Sequence, residues 1–158
     1  MKLTGQIAKN LREVFYGGNW TDVNLKDSLS EVTWKDATKS VGSLNTISSL
    51  VYHINYYLSA VLKVLQGGPL DAHDKDSFKC PEILSQLNWD KLKNKVFADV
   101  ETLACLIEKL PEKQIWEDFT DNKYGNYYRN LIGIIEHTHY HLGQIVLIKK
   151  LLLQKTDS

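Results

Sequence analysis

Four stretches of this chain repeat apolar residues at three- and four-residue spacing, and no stretch sustains the alternation of a half-buried strand. A chain patterned this way has to bury amphipathic helices against one another. The first stretch covers residues 4–16 and aligns Leu3, Ile7, Leu11, Val14 and Phe15 until Gly17 and Gly18 stop it. The second opens at Ser43 or Asn45, either of which suits an N-cap, and carries Ile47, Leu50, Val51, Ile54, Leu58, Val61, Leu62 and Leu65. Gly67, Gly68 and Pro69 end it. The third covers residues 89–110, with Val96, Val100, Leu103 and Ile107 in its stripe and Pro111 behind it, and the fourth covers residues 127–153. The expected fold is all-α, a four-helix bundle. Its first connection, residues 19–43, holds Trp20 and two short helical patterns at 25–29 and 31–39. That length predicts a crossover there. Residues 70–86 read as a polar loop, and Trp116 and Phe119 as aromatics tucked under the connection at 111–123.

The 158 residues suit one domain, 1–158, large enough to fold around a single core. Lys plus Arg equals Asp plus Glu, 19 each, so there is no cationic surplus for a nucleic-acid backbone or a polybasic membrane contact. No window is apolar enough to span a bilayer, and Met1-Lys2-Leu3-Thr4-Gly5-Gln6 lacks the apolar core of a leader, which predicts a cytoplasmic protein. Cys80 in a loop and Cys105 on a helical apolar face then read as buried, unpaired thiols.

Three of the five histidines fall in Glu136-His137-Thr138-His139-Tyr140-His141. His137 and His141 are one helical turn apart, so their imidazoles share a face and can approach one cation. His139 is rotated by about 200° and belongs elsewhere, and His73 in the polar loop contributes nothing to this pair. A third ligand has to come from another element, and His53 in the second helix is the candidate. By helical angle all three lie on the flanks of their stripes, roughly 80–120° from the centre, which suits an accessible seam. The same pattern also fits histidines that simply pack. Two metal arrangements are disfavoured. A zincin needs Glu after its first histidine, where this chain has Thr138. A ferritin-like di-iron site needs carboxylates on the second helix, and residues 45–66 contain none.

The segment from His137 through Tyr140, His141, Gly143, Gln144 and Ile145 resembles the H-x-x-Y-H-x-G-Q-I signature of the DinB/YfiT-like family. Asn45, Thr46, Ile47, Leu50, His53, Ile54 and Tyr57 resemble that family's second-helix pattern, and Trp20 after the first helix also fits. The resemblance implies a DinB-type four-helix bundle holding a divalent metal ion, zinc or nickel, on His53, His137 and His141. Gln144, Tyr57 and Trp20 are then the expected supporting or pocket residues. It further implies an enzyme that activates a low-molecular-weight thiol for transfer to an electrophile. A metal-dependent hydrolase and a non-catalytic stress-response or binding module on the same fold are the alternatives. A homodimer is the expected assembly, and a small molecule the expected partner.

Overall fold

The computed structural model describes residues 2–154. They form six α-helices: α1 (Leu3–Tyr16), α2 (Leu25–Leu29), α3 (Trp34–Thr38), α4 (Ile47–Leu65), α5 (Gln86–Lys109) and α6 (Tyr127–Gln154). Three short 3₁₀ turns lie in the connections. No strand occurs among the described residues, only an isolated bridge between Asp118 and Asn126. None of their helices is long and apolar enough to cross a membrane.

Local chemistry sets the helix limits. Thr46 caps α4 by accepting the Ser49 N–H at 3.2 Å, so the cap is the residue directly before Ile47 rather than Ser43 or Asn45. At the far end Gly67 takes φ 85°, and the N–H groups of Gly67 and Gly68 close onto the carbonyls of Val64 and Lys63 at 2.9 Å. A Cβ on Gly68 would fall 3.0 Å from the Lys63 carbonyl oxygen, so this paired-glycine stop requires its second member as well. Helix α5 starts three residues earlier than the apolar stripe suggests, because Ser85 accepts the Asn88 N–H. The short helix expected at 31–39 contracts to Trp34–Thr38, fixed by a capping box between Thr33 and Asp36.

The long helices pack in a cycle: α1 lies on α5 and α6, and α4 lies on the same two helices from the other side. Buried Leu11, Phe15, Ile54, Leu58, Leu103, Ile107, Leu131 and Ile145 fill the space they enclose. Trp89 is fully buried and donates its indole N–H to the Val32 carbonyl at 2.8 Å, which ties the α2–α3 connection to α5. Phe119 is buried as expected, but Trp116 is 60 % exposed and stacks on Tyr128 at the surface.

Helix directions follow from which residues meet. The Leu3 N–H at the start of α1 reaches Glu112 just past the end of α5, and the Tyr16 hydroxyl reaches the Phe97 carbonyl, so α1 and α5 are antiparallel. Tyr57 meets His137, whereas His53, one turn earlier, meets His137 and also reaches His141 one turn further along, so α4 and α6 are antiparallel. The segment 66–85 departs from the end of α4 and comes back to its beginning. Its contacts run in reverse order: His73 with Tyr56, Asp74 with Tyr57, Ser77 with His53, and Cys80 with Ser48. Helix α5 therefore starts beside the start of α4 and runs parallel to it. The connection that returns along a whole helix is this one, between α4 and α5. The connection that carries α2 and α3, where the length of residues 19–43 predicted the crossover, joins antiparallel helices across the diagonal of the cycle. Segment length alone reports how far a chain can travel, not in which direction.

Candidate metal centre

The α4–α6 seam brings together the three histidines singled out by spacing. Each offers a ring nitrogen, and these ligand atoms all lie within 4.8 Å of one another. Ring centroids are 4.9 Å apart for His53 and His137, 4.6 Å for His53 and His141, and 4.5 Å for His137 and His141. The Nε2 atoms of His53 and His137 face each other at 3.1 Å. The rings are more enclosed than a flank position suggests: His53 and His141 are each only 7 % exposed. The returning segment 66–85 causes this, since it lays Phe78 flat on the His53 ring at 3.9 Å.

Two of the three rings have their outer nitrogen committed. His53 Nδ1 lies 3.3 Å from the Ser77 carbonyl oxygen, and His141 Nδ1 lies 2.7 Å from Gln144 Oε1. Both partners only accept, so both Nδ1 atoms carry the proton and both Nε2 lone pairs face the cluster. This is the arrangement by which a protein orients imidazoles toward a cation. His137 Nδ1 is buried and has no hydrogen-bond partner among the described residues. Burial, followed by the neighbouring His141 and His53, lowers the His137 pKa to about 4. Burial and then His141 also lower that of His53. Neutral rings with converging lone pairs are the form that ligates a metal, so the residues present fit a divalent ion.

Beside the cluster opens a cavity of about 890 Å³. Tyr57 lines it with its ring edge toward His53 and His137, and its hydroxyl donates to Asp74. Burial, with Asp74 next, raises the Tyr57 pKa. Gln144 sits against His141 as described. Trp20, expected near the pocket, is fully solvent-exposed at 102 % and does not line the cavity; it projects from the turn after α1. His139 is half-buried away from the cluster. Cys105 is exposed beside Arg12 on the α1–α5 seam rather than buried, with Sγ 3.6 Å from the guanidinium, so it has no access to the histidines.

Sequence reasoning missed three contributors to the cavity. His73 and Asp74 both line it, as does Phe78, because the loop they occupy runs back over α4. No signal in a polar, proline-punctuated segment announces that path. Arg129, in the first turn of α6, lines the cavity as well.

An all-helical protein with three convergent imidazoles beside a cavity is the class these observations define. No family model matches the chain, and no curated protein matches it. A solved structure described as a conserved protein of locus from Enterococcus faecalis is similar to it in fold, with a TM-score of 0.75, 15 % identity, and 98 % of this chain and 99 % of that one covered.

Proposed function

We propose that this chain is a DinB/YfiT-type four-helix bundle that holds one divalent cation, zinc or nickel, on His53, His137 and His141. We further propose that it activates a low-molecular-weight thiol for transfer to a small electrophile. The observation that carries the reading is the convergence of three ligand nitrogens within 4.8 Å at the wall of a cavity large enough for a small molecule. When bound, such an ion supplies a Lewis acid with an open coordination position and favours the deprotonated form of a thiol or water. A structural zinc site is normally closed by four protein ligands, and among the described residues three come together here.

The chain's own residues do the rest. Ser77 and Gln144 hold the His53 and His141 rings in the tautomer that directs Nε2 inward. Phe78 stacks on the His53 ring and Tyr57 sets its ring edge against His53 and His137, which fixes their orientation at the cavity wall. Asp74 is the one carboxylate among the lining residues, and through Tyr57 it offers a place for a proton released in the cavity. That carboxylate equally favours hydrolysis, the second reading, in which Asp74 accepts the proton of an attacking water.

Elemental analysis of untagged protein is the first test. About one ion per chain, lost in His53→Ala with the helical circular dichroism unchanged, supports the centre. Sub-stoichiometric metal that leaves on mild chelation supports a non-catalytic module instead. Zinc- or nickel-loaded protein should then consume a haloaromatic or an epoxide in the presence of a thiol. Turnover of activated esters without thiol would move the assignment to hydrolysis.

A further inference from the structure

The chain has two arginines, and their surroundings differ sharply. Arg12 is clamped by Glu101 at 3.1 Å and Glu108 at 2.5 Å. Arg129 lines the cavity, and its guanidinium makes no hydrogen bond or ion pair with any described residue. Its backbone N–H, at 2.9 Å from the Asn126 side chain, places it in the first turn of α6. A cation there opposes the helix dipole, so the position is unfavourable for the helix itself. The side chain is nonetheless directed. Its stem lies against Gly125, where φ is 75° and a Cβ would fall 2.7 Å from Arg129 Cδ.

Gly133 lies four residues after Arg129 and four before His137, so the three occupy one face of α6 in successive turns. A Cβ at Gly133 would meet nothing within 4 Å. Glycine inside a helix destabilises it relative to alanine, and no neighbouring atom demands it here. What it leaves is an open lane along α6, about 12 Å from the level of Arg129 to the level of His137. Val61, Leu70, Phe119 and Ile134 supply apolar wall to the same cavity. One end of the lane is thus an unpaired guanidinium, the middle is apolar and unobstructed, and the other end is the imidazole cluster.

We propose that this lane takes an elongated organic carboxylate. Its carboxylate pairs with the Arg129 fork, its apolar middle crosses Gly133, and its far end reaches the three imidazoles. The far end rests on the proposed metal centre; the Arg129 end does not.

Two titrations test the two ends separately. In the first, metal-free ¹⁵N-labelled protein is titrated with hexanoate and with 1-hexanol. Hexanoate alone should give a saturable shift of the Arg129 Nε–Hε resonance and of the Gly133 amide, with Arg12 unmoved. Arg129→Gln should weaken hexanoate about tenfold, the scale of one charge-assisted pair near the surface. Gly133→Leu, which keeps both the cation and the imidazoles and whose Cβ meets no neighbour within 4 Å, should abolish binding. In the second, cobalt(II)-loaded protein is titrated with 6-mercaptohexanoate and 6-mercaptohexan-1-ol, read by thiolate-to-cobalt absorption. The acid should bind about tenfold tighter than the alcohol, and Arg129→Gln should remove that preference. Absence of any saturable hexanoate shift overturns the inference, as does equal binding of acid and alcohol to cobalt-loaded wild type. If cobalt is not taken up while hexanoate still shifts Arg129, the metal reading fails and the carboxylate lane stands.

Discussion

At His137 burial and two neighbouring imidazoles act in the same direction. A proton there would place a desolvated charge beside two other rings, so the folded chain resists it until pH falls to about 4, whereas an ordinary histidine takes it up near 6.5. The unfolded chain therefore binds the proton first as pH falls. Stability contributed by the neutral ring is fully present above the ordinary value and is lost progressively on the way down to the folded one. The melting temperature of metal-free protein should decline across that window, and His137→Gln should flatten the decline. Thermal melts at closely spaced pH values check this. Gln144 acts through another residue: its Oε1 accepts a hydrogen bond from His141 Nδ1–H at 2.7 Å and so fixes which nitrogen faces the cluster. Gln144→Leu should weaken zinc binding by roughly tenfold to a hundredfold with the helical content unchanged, measured by competition with a chromogenic chelator.

The element that decides the character of the site is the segment 66–85. It is held to α4 by small attachments: the Tyr57–Asp74 and Tyr56–His73 hydrogen bonds, the His53–Ser77 contact and the Phe78 ring on His53. Apart from one short 3₁₀ turn it has no helix of its own, so its order depends on these contacts. Two of them involve His53, so ordering this imidazole orders the segment. Phe78→Ala should cost about 1 kcal/mol of local stability, seen as roughly fivefold faster amide exchange in 66–85 with α5 and α6 protected as before. Metal loading should slow exchange in the same amides. Uniform exchange changes across all helices would mean that the segment does not open independently.

For the molecule as a whole, α4 and α6 face each other across the seam that carries the histidines, while α1 and α5 close the other side. An ion shared by His53 on α4 and His137 and His141 on α6 would cross-link elements that are 84 residues apart in the chain. Binding only to the folded state raises stability by mass action, by about 2.7 kcal/mol when free ion exceeds Kd a hundredfold. For a chain of this length that corresponds to roughly 5–10 °C in Tm. Zinc should produce that shift in the wild type and none in His53→Ala, whereas magnesium, which prefers oxygen ligands, should leave both unchanged in a thermal-shift experiment.

The amino-acid sequence by itself determined the helices and their inner faces. Periodicity marks Ile47 to Leu65 and Val96 to Ile107, and contacts within a few residues limit them, the Thr46 and Ser85 caps at their starts and the Gly67–Gly68 pair at the end of α4. It also determined that His137 and His141 share a face, because one turn of helix is local geometry. Local rules could not reach the direction of α5, the burial of His53 and His141, or the exposure of Trp20, Trp116 and Cys105. Nor could they show that a polar loop brings Asp74 and Phe78 to the cavity. These depend on where the segment 66–85 travels after Gly68. That path is chosen by the summed packing of surfaces distant in the chain, and no short window of sequence contains both partners.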